Sequence, residues 1–238
     1  MIVLGIETST RQTSVAIGDD REILAHVGVS ASPGQEVVIP ALQKLLRWSG
    51  SELSHVGGVA VGIGPGLFTS LRVGIATAKS LAQALRIPVV GLGSMDVLAY
   101  EARVTHRTIA TVIDARRGEV FFALYRPVPG GVVRERDPAV ATPDQLVAEL
   151  DSIPGDVLAV GNGAILYQDE IARSGTNVAL ASPLMAHPSA SAIIELAVPR
   201  FLREDFGRLF EIVPLYLRKS DAEIAWDERH RGAPARDH

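Results

Sequence analysis

The 238-residue chain contains no cysteine. A disulfide, a Cys-ligated zinc and a thiol nucleophile are therefore all excluded. Its 6 histidines include no pair spaced i,i+3 or i,i+4, so no helix presents two imidazoles to one metal, and each reads as a surface or packing histidine. Neither His-Glu-x-x-His nor Gly-x-Ser-x-Gly occurs, which removes the common metallopeptidase and hydrolase patterns. Aromatic residues are only 5% of the chain against 47% hydrophobic, so the core must be built from Val, Leu, Ile and Ala. That composition favours an α/β protein with buried parallel strands. The opening "MIVLGIETST" has no basic leader and no apolar run reaches about 18 residues, so neither a signal peptide nor a membrane span is expected, and a cytoplasmic location is. A net charge of −4 argues against a self-sufficient nucleic-acid binder but not against a subunit whose partner holds the nucleic acid.

What is present is a regular alternation of strand and helix patterns. "IVLGIET", "TSVAIGDD" and "REILAHVGV" read as three successive strands. Apolar residues then recur at helical spacing from Gln35 to Trp48, with Val38, Leu42 and Leu45 on one side. Pro40 falls near the first turn, where its missing N–H costs little. "VGGVAVGIG" is a strand, Thr69 to Leu85 a helix, "PVVGLG" a strand and "SMDVLAYEA" a helix. The second half opens as the first does: "TIATVIDARRGEVFFALYRP" is strand, polar connection, strand. A carboxylate stands where each opening strand ends, Glu7 in one and Asp114 in the other. A helix "PDQLVAEL", a strand "DVLAVGNGA", a helix "LYQDEIARSG" and a late helix containing Pro199 follow. The repeated opening implies a duplication: two lobes, residues 1–102 and 103–222, with a loose tail over 223–238.

Two α/β lobes with carboxylates at matching strand ends point to the actin/hexokinase/Hsp70 architecture, in which ATP lies between the lobes. The turn after Glu7 offers the hydroxyls of Thr8, Ser9 and Thr10. It reads equally as a phosphate cradle or as a hydroxyl-rich hairpin without a ligand. "GIGPGLFTS" lacks the Lys-Ser/Thr of a P-loop; a stiff strand-to-helix connection, capped by Thr69 or Ser70 and stapled by Leu67 and Phe68, accounts for it better than an anion site. Asp114 is either a general base or, with Arg116 and Arg117 beside it, one half of a structural ion pair. Asn162 either approaches a base or ribose, or belongs to a plain Gly-Asn-Gly turn. In the helix that follows the glycine block, Leu71, Ile75, Ala78, Ala82 and Leu85 recur at four-three spacing. That is the rhythm of a helix–helix seam, and small residues keep the helix thin.

"LGIETST…TSVAI", "GPGLFTSLRVGIATAKSLA", "VIDARRGEVFFALY", "VGNGA" and "PLYLRKSDA" occur in this order, and with them the chain resembles the TsaB (YeaZ) family from Ile2 to Ala222. The resemblance implies an accessory subunit in forming N6-threonylcarbamoyladenosine next to the anticodon of tRNA. It implies binding to a catalytic paralogue of the same fold, TsaD, and to a small ATPase, TsaE, with tRNA met only through the complex and a homodimer when alone. Catalytic residues and a metal are not expected. Glu7, Thr8, Ser9, Thr10, Asp114 and Asn162 are then relics of a nucleotide site, with no cofactor held tightly by the isolated chain and ATP present only within the complex. The resemblance also implies pairing through the helices of the first lobe, which assigns Val38, Leu42, Leu45 and the Leu71–Leu85 seam to the partner interface. Relatives often carry a histidine at the start of the first of these helices, where this chain has Gln35. The competing functions are a small-molecule kinase with Asp114 as base and, less well supported, a peptidase.

Overall fold

A computed structural model describes residues 1–30, 36–175 and 177–218; Gln35 and the expected tail lie outside them. The first half runs β1 (Ile2–Glu7), β2 (Gln12–Gly18), β3 (Ile23–Ser30), α1 (Val38–Ser49), β4 (Val56–Gly62), α2 (Phe68–Leu85), β5 (Val89–Leu92) and α3 (Ser94–Glu101). The second runs β6 (Thr108–Arg116), β7 (Glu119–Val128), β8 (Gly131–Ala141), α4 (Pro143–Asp151), β9 (Val157–Val160), α5 (Asn162–Leu166), α6 (Gln168–Ile171), β10 (Val178–Leu180) and α7 (Ala190–Leu202). The sheets are ordered β3-β2-β1-β4-β5 and β10-β9-β6-β7-β8. Read from the opposite edge, the second repeats the first strand for strand. In each, an antiparallel meander of three strands is extended by two parallel ones, so the duplication inferred from the two openings extends to the whole topology.

The strand period of two sorts side chains onto two faces. Leu4, Ile6, Val15, Ile17, Val59 and Val61 pack under α1 and α2. Val3, Ala16, Ala60 and Val90 face the other way, and the helix that covers them is α7, from the far end of the chain. Reciprocally, α3 lays Met95, Leu98 and Ala99 on Ile109, Ile113, Phe121 and Tyr125 of the second sheet. The expected division at residue 102 thus separates the sheets but not the helices: each half lends its last helix to the other. Polar contacts fix the exchange. Arg134 of β8 and the Tyr125 hydroxyl both bind the Asp96 carboxylate on α3, and Glu195 of α7 accepts from Tyr100 and Arg103 around α3.

Several local expectations change. β8 was not anticipated. Its stretch "RERDP" is charged and contains Pro138, which belongs at a sheet edge, where a missing N–H breaks no ladder; β8 is an edge strand, and its register with β7 shifts in this stretch. The single helix over "LYQDEIARSG" is two short ones broken at Tyr167. Neither Thr69 nor Ser70 caps α2. The helix begins one residue earlier with Leu67 as an extended N-cap residue and no side-chain cap, and Phe68 stacks on Tyr216, with ring centroids 5.0 Å apart. The α7 helix continues through Pro199 to Leu202.

Candidate functional site

Glu7 closes β1 and is completely buried. One carboxylate oxygen accepts the Ser9 N–H at 2.6 Å, and the other accepts the Ser94 hydroxyl at 3.0 Å. Ser94, at the start of α3, in turn accepts the N–H of Gly64 at 3.2 Å. Burial pushes the Glu7 carboxyl above its ordinary range, and the bonds from Ser9 and Ser94 only partly offset this. The turn that follows is equally enclosed: Thr8, Ser9 and Thr10 are exposed by no more than 3%. Thr8 donates its hydroxyl to the Ser70 carbonyl at 2.8 Å, and Thr10 lies 3.0 Å from Nδ1 of His187.

The glycine block is what encloses the turn. The Leu67 N–H donates to the Ser9 carbonyl at 2.7 Å. A Cβ on Gly66 would lie 2.1 Å from that same Ser9 oxygen, and one on Gly74 would lie 2.2 Å from Oγ1 of Thr8. No side chain fits at such distances, so these glycines let the strand-to-helix connection and α2 close directly onto the turn. Thr8 and Thr10 place their hydroxyls on protein partners, while the Ser9 hydroxyl is buried with no hydrogen-bond partner among the described residues.

The second turn is also self-contained. Asp114 accepts the Arg116 N–H at 2.8 Å, and the Arg116 guanidinium lies 3.5 Å from its other oxygen. This is the structural pairing envisaged in the sequence. Arg116, Arg117 and Gly118 all take the left-handed conformation, with φ of 65°, 58° and 75°, and the Asp114 carboxylate anchors that strained reversal. Asn162 accepts the Asp114 N–H at 3.2 Å, so it ties α5 to the end of β6. Asp114→Asn keeps the acceptor for the Arg116 amide. Its unfolding free energy should change by no more than about 1 kcal/mol, as read from denaturant midpoints; a drop of several kcal/mol would mean that the charge itself holds the turn.

The seam assignment needs correction. Leu71, Ile75, Ala78 and Ala82 are at most 4% exposed and belong to the first lobe's own interior, as do Val38, Leu42 and Leu45; Leu85 is half-buried. Four-three spacing marks any buried stripe of a helix, and here the buried stripe faces the sheet. The opposite face of α2 carries Arg72, Val73, Ala76, Ser80, Gln83 and Ala84, all exposed. Trp48 of α1 is 65% exposed. The signal was present in the sequence as the complementary stripe of the same helix: small side chains with one arginine.

A second polar cluster escaped the sequence reading because its members are single residues far apart in the chain. At the start of α7, the Ala190 N–H donates to Ser14 Oγ at 2.9 Å, and that hydroxyl meets His26 Nε2 at 2.8 Å. Burial lowers the pKa of both His26 and His187. Glu101, ending α3, has its carboxyl pushed up to about 7 by burial, and its Oε2 has no hydrogen-bond partner among the described residues. Among those residues there is also no group of three or more His, Asp or Glu placed to hold a metal, and no helix long and apolar enough to cross a membrane.

Comparison with known proteins is consistent across sequence and structure. The family model described as TsaD, tRNA N6-adenosine threonylcarbamoyltransferase, matches residues 29–226. The tRNA threonylcarbamoyladenosine biosynthesis protein TsaB of Escherichia coli (strain K12) is 30% identical over 229 residues, covering 95% of this chain and 97% of the relative. That of Bacillus subtilis (strain 168) is 28% identical, covering 97% and 100%. The solved structure of YeaZ from Pseudomonas aeruginosa superposes with a TM-score of 0.77 at 25% identity, covering 91% of this chain and 100% of that one. A ROK hexokinase from Thermus thermophilus, at TM-score 0.50 and 14% identity, shares the fold alone.

Proposed function

The chain belongs to the TsaB (YeaZ) family, and from that membership we propose that it is an accessory subunit in forming N6-threonylcarbamoyladenosine in tRNA. It acts without catalysis of its own, by docking against a catalytic subunit of the same fold, with a TsaE-like ATPase joining the pair. It meets tRNA only through that complex, works in the cytoplasm, and self-associates through the same face when alone. The isolated chain binds nucleotide weakly or not at all; ATP is used within the complex.

The observation that carries this reading is the outer face of α2. Val73, Ala76, Ser80 and Ala84 leave a thin, nearly uncharged surface that another helix can approach closely. Two of the cations that flank it are already held. Arg72 donates to the Tyr216 hydroxyl at 2.8 Å, and the Lys79 ammonium donates to the Ile212 carbonyl at 3.2 Å. A stable interface needs about 1,200–2,000 Å² in total, so the exposed residues of α1, including Trp48, complete the patch. The kinase reading is not favoured: its cradle hydroxyls on Thr8, Ser9 and Thr10 are buried, and its candidate base Asp114 is engaged by Arg116.

The test is Ala76→Arg. In the monomer the side chain enters solvent, so thermal unfolding at concentrations below self-association should stay within a few degrees of the wild type. In the complex it forces an unpaired charge into the helix contact, which costs several kcal/mol, so affinity for the catalytic subunit should fall about 100-fold or more. Reconstituted tRNA modification should fall with it. Unchanged affinity would place the interface elsewhere on the surface.

A further inference from the structure

The stretch "PLYLR" near the end of the described chain touches both lobes. Ile212 is buried in the first lobe's core with α2 and β5. The Leu215 N–H donates to the Ile63 carbonyl at 2.8 Å, just after β4. The Tyr216 ring stacks on Phe68, and its hydroxyl accepts from Arg72, whose guanidinium lies 3.8 Å from the centre of the Phe68 ring. Leu217 packs against the cluster of Met95, Ile113, Ala115 and Phe121. Arg218 donates to Glu119 at 2.7 Å, the residue directly after the left-handed turn Arg116–Gly118. Residues 212–218 therefore run from the first lobe's core, past Phe68 and Arg72 of α2, to the β6–β7 turn of the second lobe, with Tyr216 held by Arg72 and Arg218 holding the turn.

We propose that this strap is a latch that couples α2's outer face to the β6–β7 turn. Tyr216 is held by Arg72 on the face that meets the partner. Two residues later, Arg218 holds the turn. A partner that engages Arg72 changes its grip on Tyr216, and the change reaches Glu119 through backbone that is pinned on both sides. The coupling rests on the docking face proposed above; the latch in the free chain does not. A connection of this kind counts as coupling only when perturbing one end alters the other.

The experiment is amide hydrogen exchange on the full chain, which reports local opening segment by segment. In the free protein, Tyr216→Ala should speed exchange in residues 116–119 by about 10-fold or more and leave β1 and β2 unchanged. Tyr216→Phe, which keeps the stack and loses the hydroxyl, should give a smaller effect in the same place. Adding the purified catalytic subunit should change exchange at 116–119 in the wild type and not in Tyr216→Ala. Exchange at the turn that is indifferent to both Tyr216 variants overturns the latch. A partner that binds the wild type without altering the turn overturns the coupling. A wild type that fails to bind the partner overturns the docking reading, while the free-chain arm still decides the latch.

Discussion

Ala78→Arg is expected to unfold the protein rather than release a partner. Ala78 has no exposed surface and lies in the cluster formed by α1, α2 and the inner face of the first sheet. An arginine there must displace Val, Leu and Ile side chains in a close-packed layer, and it brings a charge with no counter-ion. Overpacking alone costs about 1–3 kcal/mol, and a buried unpaired charge adds several more. The sum is comparable to the whole stability of an ordinary domain, about 5–15 kcal/mol. The variant should lack a cooperative thermal transition by circular dichroism, whereas Ala76→Arg, two positions along the same helix, should melt normally. A native-like transition in Ala78→Arg would mean that α2 can rotate or that its inner face is not the one described.

The second large effect is in the pH dependence of stability. The Glu101 carboxyl, ordinarily titrating near 4.5, is held at about 7 because burial disfavours its charged form. Hydrogen bonds from Ser189 oppose this without cancelling it, and Glu7 and Glu195 add repulsion. Below pH 4.5 the side chain is protonated in both folded and unfolded chains and contributes no difference. Between 4.5 and about 7 the unfolded chain releases its proton while the folded chain keeps it, so stability falls as pH rises. Above 7 the loss is complete, at about 3 kcal/mol. Glu101→Gln removes the ionisation, so it should be more stable than the wild type by about that amount at pH 8 and near parity at pH 4.5. Glu7 shifts in the same direction, and the depressed His26 and His187 in the opposite sense, so the comparison must be made as a difference between variant and wild type. Denaturant midpoints across that range provide the check; equal slopes would show that Glu101 is charged in the folded chain.

The first lobe could be read almost in full because its patterns are local. "IVLGIE" and "TSVAIG" have strand composition, Gly50 ends a helix in the left-handed conformation that glycine favours, and the second opening repeats the first. The sequence reading failed where a residue's environment is supplied from a distance. Both faces of the first sheet are apolar, so nothing in Val3 or Ala16 reveals that their cover is a helix starting at residue 190. The α2 helix is poor in charge all round, and the larger side chains of one stripe drew the interface to the side that packs on the sheet. Glu7 and Asp114 stood out by matching position, while Ser94 finds Glu7 from 87 residues away within its own lobe, and Glu101 and His187 meet their partners only across the two halves. The glycine block looked like a phosphate loop because close approach to backbone and close approach to an anion require the same residue.

The exchange of last helices has a consequence for synthesis. When β5 leaves the ribosome, the first sheet has all its strands, and α1 and α2 can close one side. Its other side, with Val3, Ala16, Ala60 and Val90, has no cover until residues 190–202 are made. At about 5–20 residues per second, that apolar surface waits on the order of 5–20 s, most of the second half's translation time. The nascent chain is thus a natural client for a holding chaperone during that interval. A ribosome stalled before residue 190 leaves a lobe that is complete in hydrogen bonding but bare on one face.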